Sequence, residues 1–189
     1  MTACLPEVFV PPMTMADFLR CSAGMWYSRR TVHHFDASAD EFGESNLTVI
    51  PLAATDERVQ ALCDRQGVDP QGCTGGAAFY WQENRDRQPL DESRAAITAD
   101  IPDPEDPHRG QLVRDRGYVE QIPVISRYVF GPGGVLTIDT EYETNQGQER
   151  CWFVSPHFRV RVGNVRTLGG NYLMSYCSER RCVPSPVRQ

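Results

Sequence analysis

Apolar and polar residues alternate along much of the second half of the chain, in short segments that end at Gly, Pro or Asn. The segment FRVRV alternates strictly, and comparable segments are separated by the breaks GPG, NQG, SPH and LGG. This period of two is typical of strands that bury one face, and such breaks are typical of hairpins. No helix intervenes, so the pattern predicts a mainly β fold with an antiparallel sheet. About ten strands are expected to close into a barrel, because closure removes open edges.

Two short helices are predicted in the first third of the chain. Thr14 fits the N-cap of a helix over 14–24, with Asp17 at the capping-box position. A second helix is predicted over 56–66, where Gly67 fits the C-terminal stop. Both carry apolar side chains at helical spacing, which are Phe18, Leu19 and Ala23 in the first and Val59, Leu62 and Cys63 in the second.

Polar residues and prolines mark the parts expected to lie outside the sheet. Further strands are predicted over 26–34, 43–52 and 75–83. Residues 93–100 form a polar stretch, and IPDPEDPH over 101–108, which contains three prolines, is interpreted as a loop. The ends of the chain, over 1–13 and 183–189, are expected to be flexible. A single domain over 1–189 is predicted from the length.

The composition narrows the possible function classes. Hydrophobic residues make up 40% of the chain, which is typical of a globular protein. The formal net charge of −6 argues against a nucleic-acid partner, because proteins that bind nucleic acid normally carry a basic patch. All 19 basic side chains are Arg, so no Lys amine exists for Schiff-base chemistry. No segment reaches the length of a membrane span, so membrane insertion is not expected.

The cysteines predict free thiols rather than a disulfide framework. Their number, seven, is odd, and their spacings match no zinc motif. The first twelve residues lack the basic start and apolar run of a signal peptide. A cytosolic protein with reduced thiols is therefore expected. The cysteines are Cys4, Cys21, Cys63, Cys73, Cys151, Cys177 and Cys182.

Two arginines on one predicted strand are the first candidates for binding chemistry. Arg159 and Arg161 alternate with Phe158, Val160 and Val162, so both guanidinium groups are expected on the same face. From spacing alone, a solvated outer face is favoured over a binding site by about two to one. Additional residues are needed to decide between the two interpretations.

Other polar and aromatic residues have simple structural explanations when they are taken one at a time. His33 and His34 are adjacent and are expected on opposite faces of a strand, so a metal site is not predicted. Trp81 follows the apolar run AAFY and is typical of core packing, while Glu149 beside Arg150 is typical of surface charge. The sequence contains no phosphate-binding loop and no GxSxG or HExxH motif.

Taken together, these segments resemble a known family, the S-type phycobiliprotein lyases (CpcS/CpeS). The resemblance covers most of the chain in order, from residue 17 to residue 181. The segments that carry it are DFLRCSAGMWYSRRTVHHFD, GESNLTV, LCDRQGVDP, GGAAFYW, LVRDRGYVEQIPVISRYVF, TEYETNQGQERCWFVSPHFRVRV and SYCSERR.

The resemblance implies a fold, an activity and partners. The fold would be a lipocalin-like closed antiparallel β-barrel that binds an open-chain tetrapyrrole, a bilin. The activity would be that of a lyase, which joins the bilin through a thioether to a cysteine of a phycobiliprotein α or β subunit. A bilin such as phycocyanobilin or phycoerythrobilin would be the substrate, with no metal and no organic cofactor. The family also implies a cyanobacterial cytosol, and a homodimer or a heterodimer with a related lyase subunit.

The resemblance further implies roles for individual residues. Arginine is the best partner for a bilin propionate, a carboxylate suits the pyrrole nitrogens, and aromatic rings cover the apolar ring face. Arg30, Arg159 and Arg161 would bind substrate, Phe79 and Trp81 would line the ring face, and Glu149 and His33 would act in acid–base chemistry. A structural histidine explains His33 equally well, with His34 as the alternative acid–base group. A non-catalytic lipocalin-like carrier is the alternative function, because its sequence features would be nearly the same.

Overall fold

The computed structural model describes residues 9–36, 38–83, 89–92, 95–117, 119–167 and 169–182. The predictions for residues 1–8 and 183–189 lie outside these ranges. The elements are, in chain order, α1 (Met15–Ser22), β1 (Gly24–His34), β2 (Glu41–Leu52), α2 (Glu57–Gln66), β3 (Gly75–Glu83), β4 (Ala96–Asp103), β5 (Asp106–Arg114), β6 (Val124–Gly131), β7 (Val135–Glu141), β8 (Asn145–Ser155), β9 (Phe158–Thr167) and β10 (Gly170–Arg181).

The ten strands form a closed barrel. Each strand pairs antiparallel with its neighbours in sequence, and β10 returns to pair with β1. The predicted antiparallel barrel is therefore confirmed. The register of β9 and β10 places Arg159 opposite Glu179, and Arg161 opposite Cys177. This register brings together charged residues that are distant in sequence.

Helix α1 closes one end of the barrel, and its N-terminus is as predicted. The Thr14 hydroxyl accepts a hydrogen bond from the Asp17 amide at 3.2 Å. The Asp17 carboxylate accepts from Arg20 at 2.6 Å. The helix ends at Ser22, two residues before the predicted end, because Ala23 is already extended and β1 begins at Gly24. Phe18, on the buried face of α1, packs edge-on against Phe153 with the ring centroids 5.4 Å apart.

Helix α2 lies on the outside of the barrel and covers β3, β4 and β5. Its buried side chains belong to a second apolar cluster with Tyr80, Ala99 and Val113 from the outward faces of those strands. Gly67 ends the helix in the left-handed conformation, with φ of 64°, which confirms the predicted stop. No helix in the described part of the chain is long and apolar enough to cross a membrane.

Two predictions about irregular segments were wrong. Residues 96–103 and 106–114 form the hairpin β4–β5, so most of the predicted loop belongs to the sheet. The strand β4 was missed because it is buried on both faces and shows no alternation, and because Pro102 lies within it. Residues 9–13 were expected to be flexible, but Phe9 packs against Phe153 with the centroids 6.2 Å apart.

Candidate functional site

The barrel interior has an apolar half next to α1 and a charged layer beyond it. Trp26, Leu47 and Ala77 lie at the α1 end and belong to one core cluster with that helix. Further along the strands, the inward positions carry charged groups. These groups are Arg114 on β5, Glu149 on β8, Arg159 and Arg161 on β9 and Glu179 on β10.

Arg159 lies at the border between the two halves, and two of its guanidinium nitrogens form hydrogen bonds there. Its Nε donates to Glu179 Oε2 at 2.6 Å, and its Nη1 donates to Ser22 Oγ at 2.7 Å. The same guanidinium lies 4.6 Å from the centre of the Trp26 ring. Only 4% of the side chain is exposed. Arg159 therefore links β9 and β10 to the end of α1, and the solvated outer face that spacing alone favoured is wrong.

Arg161 lies one inward position further from α1 and is more accessible. Its Nη2 donates to Glu179 Oε1 at 3.2 Å and lies 3.8 Å from the sulfur of Cys177. The Glu179 carboxylate is thus shared by Arg159 and Arg161. Burial alone would raise the pKa of Glu179, but the two guanidinium groups hold it below its ordinary value of 4.5.

Glu149 is bonded across the lumen. Arg114 Nη2 donates to Glu149 Oε2 at 2.8 Å, although β5 and β8 are not neighbouring strands. Burial alone would raise the pKa of Glu149, but the charges of Arg114 and Arg161 hold it below 4.5. A cavity of about 10 Å³ adjoins Glu149, which is room for about one water molecule. Val119, from the connection between β5 and β6, is among the residues that line this cavity.

The five charged side chains of this layer do not balance. Three guanidinium groups face two carboxylates, so the layer carries one surplus positive charge. A surplus charge in a partly buried site attracts an anion, and a guanidinium prefers a carboxylate or a phosphate. The site therefore combines an attraction for one acidic group with a fixed carboxylate, Glu149, that accepts hydrogen bonds.

Two predicted aromatic residues and Arg30 lie at inward positions of β3 and β1. Phe79 and Trp81 stack with their ring centroids 5.8 Å apart and their planes at 19°. Trp81 lies opposite Leu47 in the β2–β3 register, faces inward and is 37% exposed. Arg30 belongs to the same alternating set of β1 as the buried Val32, and its side chain is exposed. Phe79 packs against the apolar core cluster, whereas Arg30 lies opposite Cys177, the neighbour of Arg161.

His33 is separated from the other predicted site residues. It lies one position out of phase with the inward Val32, on the outer face of β1, and 55% of its side chain is exposed. Its Nδ1 lies 2.8 Å from the carboxylate of Asp40. This position contradicts an acid–base role for His33 inside the barrel. His34 belongs to the inward set, but its Nε2 lies 3.0 Å from Glu41 at the rim.

Sequence reasoning missed Arg114 and Glu179. Both lie in segments that carried the family resemblance, but no role was assigned to either. Glu179 shares the period-two positions of the buried Ser175 and Cys177, so its inward direction could be deduced once β10 was assigned. Arg114 ends the strand β5 and gives no such pattern.

Comparisons with known proteins agree with this architecture. A family model described as CpeS-like protein matches residues 14–182. The chain is 54% identical over 173 residues to chromophore lyase CpcS/CpeS 4 of Trichodesmium erythraeum, covering 92% of this chain and 90% of that protein. It is 36% identical over 173 residues to the phycocyanobilin lyase subunit CpcS of a Picosynechococcus species, covering 90% and 87%.

A solved structure has the same fold. The S-type phycobiliprotein lyase CpeS from Guillardia theta superposes with a TM-score of 0.73, covering 92% of this chain and 95% of that chain. The two sequences are 21% identical, so this likeness concerns the fold alone.

Proposed function

The chain belongs to the CpeS-like family, and from this premise we propose that it is a chromophore lyase acting on a bilin. It binds the open-chain tetrapyrrole and attaches it through a thioether to a cysteine of a phycobiliprotein subunit. Relatives named as chromophore lyases, one of them a phycocyanobilin lyase subunit, support this proposal. The bilin is the substrate, and the proposed reaction needs no further cofactor.

The observation that carries the proposal is the charged layer with one surplus positive charge, in a barrel whose inward positions also include a stacked aromatic pair. A bilin is an elongated aromatic system with acidic propionates and pyrrole nitrogens. Such a ligand matches a site that offers guanidinium groups, a carboxylate and an aromatic surface together. A fatty acid would match the positive charge but has no N–H groups to donate to the Glu149 carboxylate.

Each predicted site residue then has a distinct part in binding. Arg161 and Arg30 bind the propionates from the accessible side of the layer, and Phe79 and Trp81 cover the ring face. Glu149 accepts hydrogen bonds from the pyrrole nitrogens. The propionate role predicted for Arg159 stays a prediction, and its buried bonds favour a supporting role instead.

The reaction is the addition of the acceptor thiol across an exocyclic double bond of the bilin. The sulfur bonds to one carbon, the double bond becomes single, and the thiol proton ends on the tetrapyrrole. The chain contributes by holding the bilin in one conformation and by placing a carboxylate beside its conjugated nitrogens. Because Arg114 and Arg161 hold the pKa of Glu149 below its ordinary value, its carboxylate stabilises positive charge on the ring system rather than donating a proton to it.

Replacing all seven cysteines by Ser is expected to leave chromophore transfer intact in a protein that folds, because the acceptor supplies the nucleophile. Of the thiols near the charged layer, Cys151 is buried, and burial raises its pKa to about 12, so it stays protonated. The measurement is adduct formation with an acceptor subunit, and the double variant Cys151→Ser, Cys177→Ser isolates the barrel interior. Loss of transfer in a folded variant would indicate a covalent intermediate on the enzyme.

The function is tested by reconstitution with a bilin and a panel of phycobiliprotein subunits. We expect a covalent adduct that survives denaturing electrophoresis and is absent when the acceptor cysteine is replaced by Ala. A carrier would bind the bilin, with a change in its absorption, but would form no more adduct than the bilin forms alone. The predicted dimer and the cytosolic location remain predictions.

A further inference from the structure

The bond between Arg114 and Glu149 spans the barrel between two strands that are not neighbours in the sheet. The residues are 35 positions apart, and the exposed fractions of their side chains are 11% and 15%. Arg114 Nε is also buried and has no hydrogen-bond partner among the described residues. A buried donor without a partner is unfavourable, which suggests that this guanidinium is arranged for a ligand as well as for Glu149.

The charged and titratable groups around Glu149 come from several elements. Arg114 donates a hydrogen bond to it from β5, and Arg161 supplies a second positive charge from β9. Cys151 follows on the same face of β8, and Tyr142 lines the adjoining cavity. Glu179 on β10 is held by Arg161 on the far side. Positive charge therefore outweighs negative charge around the Glu149 carboxylate.

We propose that Arg114 is a positioning residue for the lyase reaction, which holds the Glu149 carboxylate ionised and oriented towards the pyrrole nitrogens of the bilin. An ionised carboxylate accepts hydrogen bonds from several N–H groups, whereas a protonated one brings a donor of its own to the same place. The remaining donor of Arg114, Nε, is then available to a carbonyl or carboxylate oxygen of the bilin. This inference rests on the proposed function for its ligand.

A purely structural ion pair would give a different result. If Arg114 served only to tie β5 to β8, its replacement would lower stability and leave the ionisation of the bound bilin unchanged. The pH dependence of the complex separates the two roles, because it follows the charge beside the chromophore.

The test compares the bilin complexes of the wild type, Arg114→Gln and Arg114→Lys by absorption between pH 4 and pH 8. Removing a neighbouring positive charge raises the pKa of a carboxyl group. The pH at the midpoint of the acid-side change in bilin absorption is therefore expected to rise by about one to three units in Arg114→Gln. Arg114→Lys should restore most of the wild-type midpoint. Arg127→Gln is the matched control, since Arg127 is exposed on the outer face and pairs with Glu141.

The same substitution in a Glu149→Gln background is expected to produce no further shift. A shift that persists in that background, or an unchanged midpoint in folded Arg114→Gln, would overturn the proposal.

Carbon-13 NMR of the ligand-free protein gives a reading that needs no bilin, with the Glu149 signal identified by its absence in Glu149→Gln. If Arg114→Gln does not fold, the NMR titration of the wild type provides the test. A titration midpoint of Glu149 at or above pH 4.5 would then refute the inference. A low midpoint without adduct formation would instead count against the proposed function alone.

Discussion

Glu179→Leu is expected to lower the free energy of unfolding by about 3–5 kcal/mol, because the change leaves two guanidinium groups without their shared partner. Glu179 is fully buried, and its carboxylate bonds both Arg159 and Arg161. Leucine fills much of the same space, so the loss measures uncompensated charge rather than an empty cavity. Chemical denaturation followed by circular dichroism gives the free energy, and Glu179→Gln should lose less, since its amide oxygen still accepts a hydrogen bond.

Glu141→Leu provides the matched control for this prediction. Glu141 also pairs with an arginine, Arg127, but both side chains are more than 70% exposed. An exposed ion pair contributes about 0–1 kcal/mol, so this variant should remain close to the wild type. Equal effects of the two leucine variants would show that the Glu179 pairs do not hold the interior together.

The same pairs predict how stability depends on pH. The pKa of Glu179 is lowered in the folded protein, so its contribution is complete above its ordinary value of 4.5 and is lost as the pH falls below that value. Glu179→Leu should remove this part of the acid sensitivity. The double variant Glu179→Leu, Arg159→Met should regain stability over the single variant, because it removes one of the stranded charges.

The strands were predictable where one face is buried and the other is not. The segments of β6 and β7 alternate between buried and exposed residues, and this alternation is visible in the sequence. Thr14, Asp56 and Gly67 mark helix ends through short-range hydrogen bonds and backbone geometry, which the local sequence determines. The strand β4 lacks this signal, because α2 covers the face that would otherwise be polar.

The candidate site was predictable only in part, because its contacts are long-range. Alternation alone placed Arg159 and Arg161 on one face, but it gave no information about which face of the barrel this is. The partner Glu179 is 20 positions from Arg159, and Arg114 is 35 positions from Glu149. Those pairings depend on barrel closure and register, which no local pattern contains. The interior role predicted for His33 failed for a different reason. A shift of one position along β1 exchanges the inner and outer faces, so His33 lies on the outer face.

Arg161→Leu is expected to reduce bilin affinity at least tenfold. Losing one partner of a desolvated charge pair costs about 2–5 kcal/mol, and the change also cancels the surplus positive charge of the layer. Arg161 has two advantages over Arg159 for this role: its side chain is more accessible, at 17% against 4%, and its bond to Glu179 is longer. Arg161→Lys should recover only part of the affinity, because an ammonium group cannot form the paired bonds of a guanidinium.

Arg150→Leu is the internal control for Arg161→Leu, since Arg150 is exposed and points outward from the strand next to β9. Bilin titration by absorbance gives the affinity, and circular dichroism checks the fold of each variant. Arg159→Leu should differ from both, with a larger loss of stability than of affinity, because its guanidinium bonds Ser22 and Glu179. Equal affinities for Arg150→Leu and Arg161→Leu would contradict a propionate partner at Arg161. The interior charge would then serve the fold rather than the ligand.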